Sequence, residues 1–145
     1  MKTIREVKIN IESVIESLDA RGLVEGDAER TASECSGFLH YDGDTALITY
    51  TETNEGAELY SEIIYSDGAI TVKRKGAIVS ELFFKEGEVH RSVYEMPPYR
   101  FDAEVKTRRV RVSLTDMGGN IDIFYNMKIG GAERSARMKI WIKTV

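Results

Sequence analysis

Residues 118–131 read Gly-Gly-Asn-Ile121-Asp-Ile123-Phe-Tyr125-Asn-Met127-Lys-Ile129-Gly-Gly. Every second side chain from Ile121 to Ile129 is large and apolar. That period of two marks a strand with one packed face and one wet face. The glycine pair at each end predicts a hairpin turn. Downstream, Met138, Ile140 and Ile142 repeat the alternation, and upstream so do Val110, Val112 and Leu114.

The same pattern runs back along the chain through Phe101, Ala103 and Val105, then Ile78, Leu82 and Phe84, then Ile70 and Val72. Leu59 and Ile63, Ile48 and Tyr50, and Val7, Ile9 and Ile11 complete it. Turn signals separate the runs at Asp42-Gly43-Asp44, Asn54-Glu55-Gly56, Ser66-Asp67-Gly68, Lys75-Gly76 and Lys85-Glu86-Gly87. Valine, isoleucine and threonine number 35 against 7 leucines, a balance that suits pleated surfaces. About 8–10 strands in one chain must close or stack to avoid open edges. The expectation is one all-β domain over residues 1–145. Only Ser17–Arg30 lacks the pattern, and it reads as a long connection with one helical turn.

The chain has 145 residues, net charge −4 and one cysteine, Cys35. A lone thiol supports no internal disulfide framework. The charged start Met-Lys-Thr-Ile-Arg lacks a signal-peptide apolar run, and no uncharged stretch is long enough to span a bilayer as a helix. The expected setting is cytoplasmic, without a membrane or cofactor. Residues 1–98 carry 10 basic and 19 acidic groups, and residues 99–145 carry 10 and 5. We read this as acidic and basic strands lying side by side rather than as a nucleic-acid face.

From Ile70 the chain runs Ile-Thr-Val-Lys-Arg74-Lys-Gly76-Ala-Ile-Val-Ser80-Glu-Leu-Phe-Phe84-Lys-Glu-Gly87-Glu-Val-His90-Arg-Ser92-Val-Tyr94-Glu-Met-Pro97. With Tyr50-x-Glu52-Thr53 upstream, and Thr107, Gly118-Gly119, Tyr125 and Met138-Lys-Ile-Trp-Ile-Lys downstream, this resembles the YwiB-like family of small uncharacterised bacterial proteins. The resemblance implies a closed antiparallel up-and-down β-barrel similar to the calycins and lipocalins, and it implies no reaction. At the corner Met96-Pro97-Pro98-Tyr99 the chain departs from the family, which usually has threonine for Met96 and Tyr-Gly for Pro98-Tyr99.

Several residues could carry chemistry. His90, Ser92 and Tyr94 share one strand face and form a donor–acceptor row if that face is interior. Arg74 follows Ile70 and Val72 and is either an anion anchor or the partner of Glu52 or Glu62. Tyr50, Glu52 and Ser80 lie in otherwise apolar rows. Trp141 sits between Lys139 and Lys143 on the face opposite Ile140, a candidate contact for a protein partner or a second copy. Cys35 and His40 fall on opposite strand faces, and no metal-ligand spacing, phosphate loop or nucleophile elbow occurs.

The leading expectation is a module binding a small anionic or amphiphilic ligand in or at the mouth of the barrel. An assembly module acting through its outer surface is second. An enzyme using His90 with a carboxylate is third, because general acid–base work needs a positioned pair that the sequence does not display.

Overall fold

Ten strands account for nearly all of the computed structural model, which describes residues 2–54 and 56–145. They are β1 (Thr3–Leu18), β2 (Val24–Tyr41), β3 (Ala46–Asn54), β4 (Ala57–Ser66), β5 (Ala69–Gly76), β6 (Val79–Phe84), β7 (Val89–Met96), β8 (Tyr99–Thr115), β9 (Gly118–Ile129) and β10 (Ala132–Thr144). Each is antiparallel to the next, and β1 also pairs with β10, so the sheet closes into a barrel. Closure removes the two free edges that an open meander would leave. The turn signal at Asn54-Glu55-Gly56 includes Glu55, which lies outside the described residues. Among the described residues no helix is long and apolar enough to cross a membrane.

We call the end bearing the β1–β2, β5–β6, β7–β8 and β9–β10 turns the upper end. Antiparallel partners share a face, so the register fixes what points inward. In the lower half the interior is filled. Ile9, Leu39, Ile48, Ile63, Ile70, Phe84, Ile121, Ile123 and Ile140 are all at most 1% exposed and belong to one cluster. Phe84 and Tyr125 meet there with ring centroids 4.8 Å apart. Burying each such side chain contributes about 1.5–3 kcal/mol. Gly37 makes the wall close at β2–β3: a Cβ there would stand 2.0 Å from the Thr49 carbonyl oxygen.

The stretch Ser17–Arg30 corrects the expectation of a long connection. It is the tip of a hairpin arm, with β1 running to Leu18 and β2 starting at Val24. Its residues show no apolar alternation because most of this part of β2 is exposed on both faces. Pairing with β1, not burial, holds it extended. Asp19 closes the turn by accepting from the backbone N–H groups of Arg21 and Leu23. These bonds hold its carboxyl below the ordinary carboxylate range.

Ion pairs join the two halves of the sequence: Arg100 of the basic half pairs with Glu95, whereas Arg5 of the acidic half pairs with Asp116 of the basic one. Arg137 meets Asp122 on neighbouring strands at 2.9 Å. Arg108, at the β8 bulge, lies over the Phe124 ring at 5.4 Å.

Candidate functional site

The upper half of the interior is different in kind. One row of cross-strand partners runs Tyr50, Ser61, Arg74, Ser80, Tyr94, Phe101, crossing β3 to β8 one strand at a time. Alternation puts Arg74 on the face of Ile70 and Val72, which are buried, and Ser80 on that of Leu82 and Phe84. Tyr94 and its neighbours Ser92 and His90 pair with Phe101, Ala103 and Val105. Ala103 and Val105 are core residues, so the His90-Ser92-Tyr94 face turns inward.

Arg74 is therefore an interior arginine. Among the described residues no carboxylate lies within ion-pair distance of it, as the bridges formed elsewhere show. Glu62, one candidate partner, is opposite Lys73 on the outer face and accepts from the Tyr60 hydroxyl. Glu52 lies one inward position above Tyr50 and also leaves Arg74 unpaired. Two phenols feel the Arg74 charge. Burial pushes Tyr50 up to about 12, with Arg74 and Ser61 opposing the rise. Burial likewise raises Tyr125, again opposed by Arg74.

Buried hydroxyls also face the interior. Ser61 stands opposite the Tyr50 phenol, while Ser80 and Thr107, 5% and 1% exposed, make no hydrogen bond through their side-chain oxygens. The Ser92 oxygen is buried and unpartnered too. Such groups are rare, because each costs its full desolvation.

The wall opens beside them. β6 and β7 share only two rungs, Val79 with Glu95 and Ser80 with Tyr94. Below these the strands part, and the β6–β7 loop is tied to β8 through Gly87 and Glu88 on Thr107. The gap is a cleft of about 480 Å³. Its lining comes from both sheet faces: Arg74, Ser80, Ser92 and Val105 from the inner one, Lys73, Lys75, Glu81, Phe83 and Arg91 from the outer one. His90 closes its lower edge, edge-on to Phe83 at 4.5 Å between centroids and bonded to Glu88 at 3.1 Å. The opening thus lies in the barrel wall as well as at its mouth.

The structure brings Tyr50, Arg74, Ser80, Ser92 and Tyr94 to one interior region and His90 to its rim. Glu52 lies higher, near Cys35, whose thiol burial and Glu52 push up to about 11. Trp141 stands apart on the outer face, 37% exposed, in a shallow groove with Asn10, Glu12, Ala32 and Glu34. Sequence reasoning missed Ser61 and Thr107 as interior groups. Ser61 lies between Leu59 and Ile63 in the same alternation, so its face was readable. The charged outer lining, Lys73, Lys75, Glu81 and Arg91, carried no signal, because nothing local announces that β6 and β7 separate.

Known proteins supply a fold for comparison. The chain is 23% identical over 130 residues, 90% of its length and 87% of the other's, to the uncharacterized beta-barrel protein YwiB of Bacillus subtilis (strain 168). The crystal structure of ywiB protein from Bacillus subtilis superposes with a TM-score of 0.84 at 22% identity, covering 98% of this chain and 93% of that one. A family described as a domain of unknown function, DUF1934, matches residues 15–141. Since that match spans most of the barrel, the chain belongs to the DUF1934 family of β-barrel proteins.

Proposed function

We propose that this protein is a binding module for a small anionic ligand, held by Arg74 in the upper interior and reached through the β6–β7 cleft and the mouth above it. The observation that carries this reading is an inward arginine without a carboxylate partner among the described residues, directly opposite the buried, unpartnered Ser80. A guanidinium presents a planar fork of donors that fits a carboxylate or phosphate. Ser80 and Ser92 add neutral donors, and a bound oxyanion would satisfy all three at once. At the cleft entrance Lys73, Lys75 and Arg91 outnumber Glu81 and Glu95, a balance that favours approach of an anion. Catalysis has less support. His90 does have a carboxylate neighbour in Glu88, but both side chains are open to water at the rim and interact as a surface pair.

The test is titration of the purified protein with inorganic phosphate and with acetate, followed by calorimetry and by phosphorus NMR. Saturable binding that weakens at least 10-fold in Arg74→Met and several-fold in Ser80→Ala is the expected result. Binding unchanged in Arg74→Met removes the proposal. Mass spectrometry of freshly purified protein, native and then denatured, identifies any small molecule carried through purification.

A second reading, assembly through the outer surface, is favoured by the exposed Trp141 groove. It predicts a concentration-dependent dimer or partner complex in sedimentation that Trp141→Ala abolishes and Arg74→Met leaves intact.

A further inference from the structure

The hairpin joining β7 and β8 rises above its neighbours. Glu95 and Arg100 form the last rung backed by β6, through Val79, and β9 begins pairing with β8 only at Ala103. Met96 pairs with Tyr99 beyond that point. By parity with Tyr94, Ala103 and Val105, the side chains of Met96, Tyr99 and Phe101 belong to the inward face. Glu95, Arg100 and Asp102 occupy the other face, and Glu95 and Arg100 pair there. The flap is therefore amphipathic with its apolar side turned to the mouth. Yet that side is uncovered: Phe101 is 37% and Tyr99 62% exposed, and their rings stack at 6.3 Å. Inward aromatic residues left in water point to a missing apolar occupant.

This apolar face is continuous with the anion anchor. Arg74, Ser80, Tyr94 and Phe101 are successive partners on four adjacent strands. Three strand spacings separate Arg74 from Phe101, about 14 Å. Resting on the Arg74 reading, we infer that the ligand is a free single-chain amphiphile, its anionic group at Arg74 and its apolar chain against Tyr94, Phe101, Tyr99 and Met96. A small hydrophilic anion would leave the flap uncovered, and a neutral apolar molecule would leave Arg74 unpaired. Only a molecule with both parts answers both features.

The experiment compares decyl phosphate, kept below its micelle concentration, with inorganic phosphate by calorimetry. It uses the full chain, the double variant Tyr99→Ser/Phe101→Ser, and Arg74→Met. The rim residues are solvent-exposed, so the double variant folds, and its urea midpoint verifies this. Decyl phosphate binds at least 10-fold tighter than inorganic phosphate if the inference holds. The double variant loses about 10-fold for decyl phosphate and nothing for inorganic phosphate, and Arg74→Met weakens both. Equal affinities for the two ligands, or a double variant with unchanged decyl phosphate binding, overturn the amphiphile while the anion reading stands on its Arg74 dependence. Binding of neither ligand, or binding indifferent to Arg74→Met, overturns both. Flotation with phosphatidylcholine vesicles containing phosphatidic acid separates a free amphiphile from a membrane surface. Vesicle capture without uptake of soluble decyl phosphate also overturns the inference.

Discussion

Ser80→Ala separates a hydroxyl kept for a ligand from one kept for the fold. In the ligand-free barrel this oxygen is almost fully buried and unpartnered. An unsatisfied buried hydroxyl costs about 1–3 kcal/mol. Removing it opens little new void, because Ser80 already borders the cleft. Ligand-free Ser80→Ala is therefore expected to be more stable by about 1 kcal/mol. For a chain of 145 residues the unfolding entropy is about 0.3 kcal/mol/K, so Tm rises by about 3 °C. Urea unfolding in phosphate-free buffer, at unchanged m-value, measures the effect. Thr107→Val is the comparator: it deletes a second buried, unpartnered hydroxyl without changing shape, and it does not line the cleft. It should stabilise by a similar amount and leave phosphate binding intact, whereas Ser80→Ala should weaken that binding. If Ser80→Ala instead destabilises the ligand-free protein by more than about 1 kcal/mol, the hydroxyl is already bonded there, and the argument that it awaits a ligand fails.

Three further outcomes follow from the same geometry. Arg74→Met, which replaces an unpaired interior cation by an apolar chain of similar reach, should leave ligand-free stability unchanged or raise it by about 1 kcal/mol while weakening phosphate binding at least 10-fold; a large loss in urea unfolding would make Arg74 structural. The Tyr50 phenol, pushed up to about 12 by burial, stays protonated in the fold while the unfolded phenol ionises near 10, so the folded state holds the extra proton and stability falls as pH rises from about 10 to 12. The difference between wild type and Tyr50→Phe, read by urea unfolding at pH 9, 10 and 11, should grow toward a ceiling of roughly 3 kcal/mol, and a flat difference refutes the burial. Gly37→Ala would drive a Cβ into the Thr49 carbonyl at the last rung of β2–β3, and we expect a loss of at least about 2–3 kcal/mol by urea unfolding, or failure to fold.

The interior positions are legible in the chain wherever one face is dry. Val7, Ile9, Ile11, Ile48, Ile70, Val72, Ile121 and Ile140 alternate in the sequence and are buried in the barrel. The same parity, a property of the sequence alone, assigns Arg74, Ser80 and Tyr50 to the face of their buried neighbours. It fails at Ser17–Arg30, where a strand held by pairing alone, wet on both faces, leaves no periodic trace. Alternation groups Ile78 with Leu82 and Phe84, but the β5–β6 turn takes it outside the strands.

Alternation is a local property, so the strands, their faces and the need for closure are written in the chain itself. Which face of the His90 strand is interior is not, because Ser92 and Tyr94 alternate with Val89 and Val93 and both faces look half apolar. Only pairing with Ala103 and Val105 decides that. Nor does any local pattern foretell that β6 and β7 share two rungs and then part, or that Arg74 faces Ser80 with no carboxylate in ion-pair distance among the described residues. Those features depend on register between distant segments, a sum of contacts around the whole closed sheet that no single stretch of chain encodes.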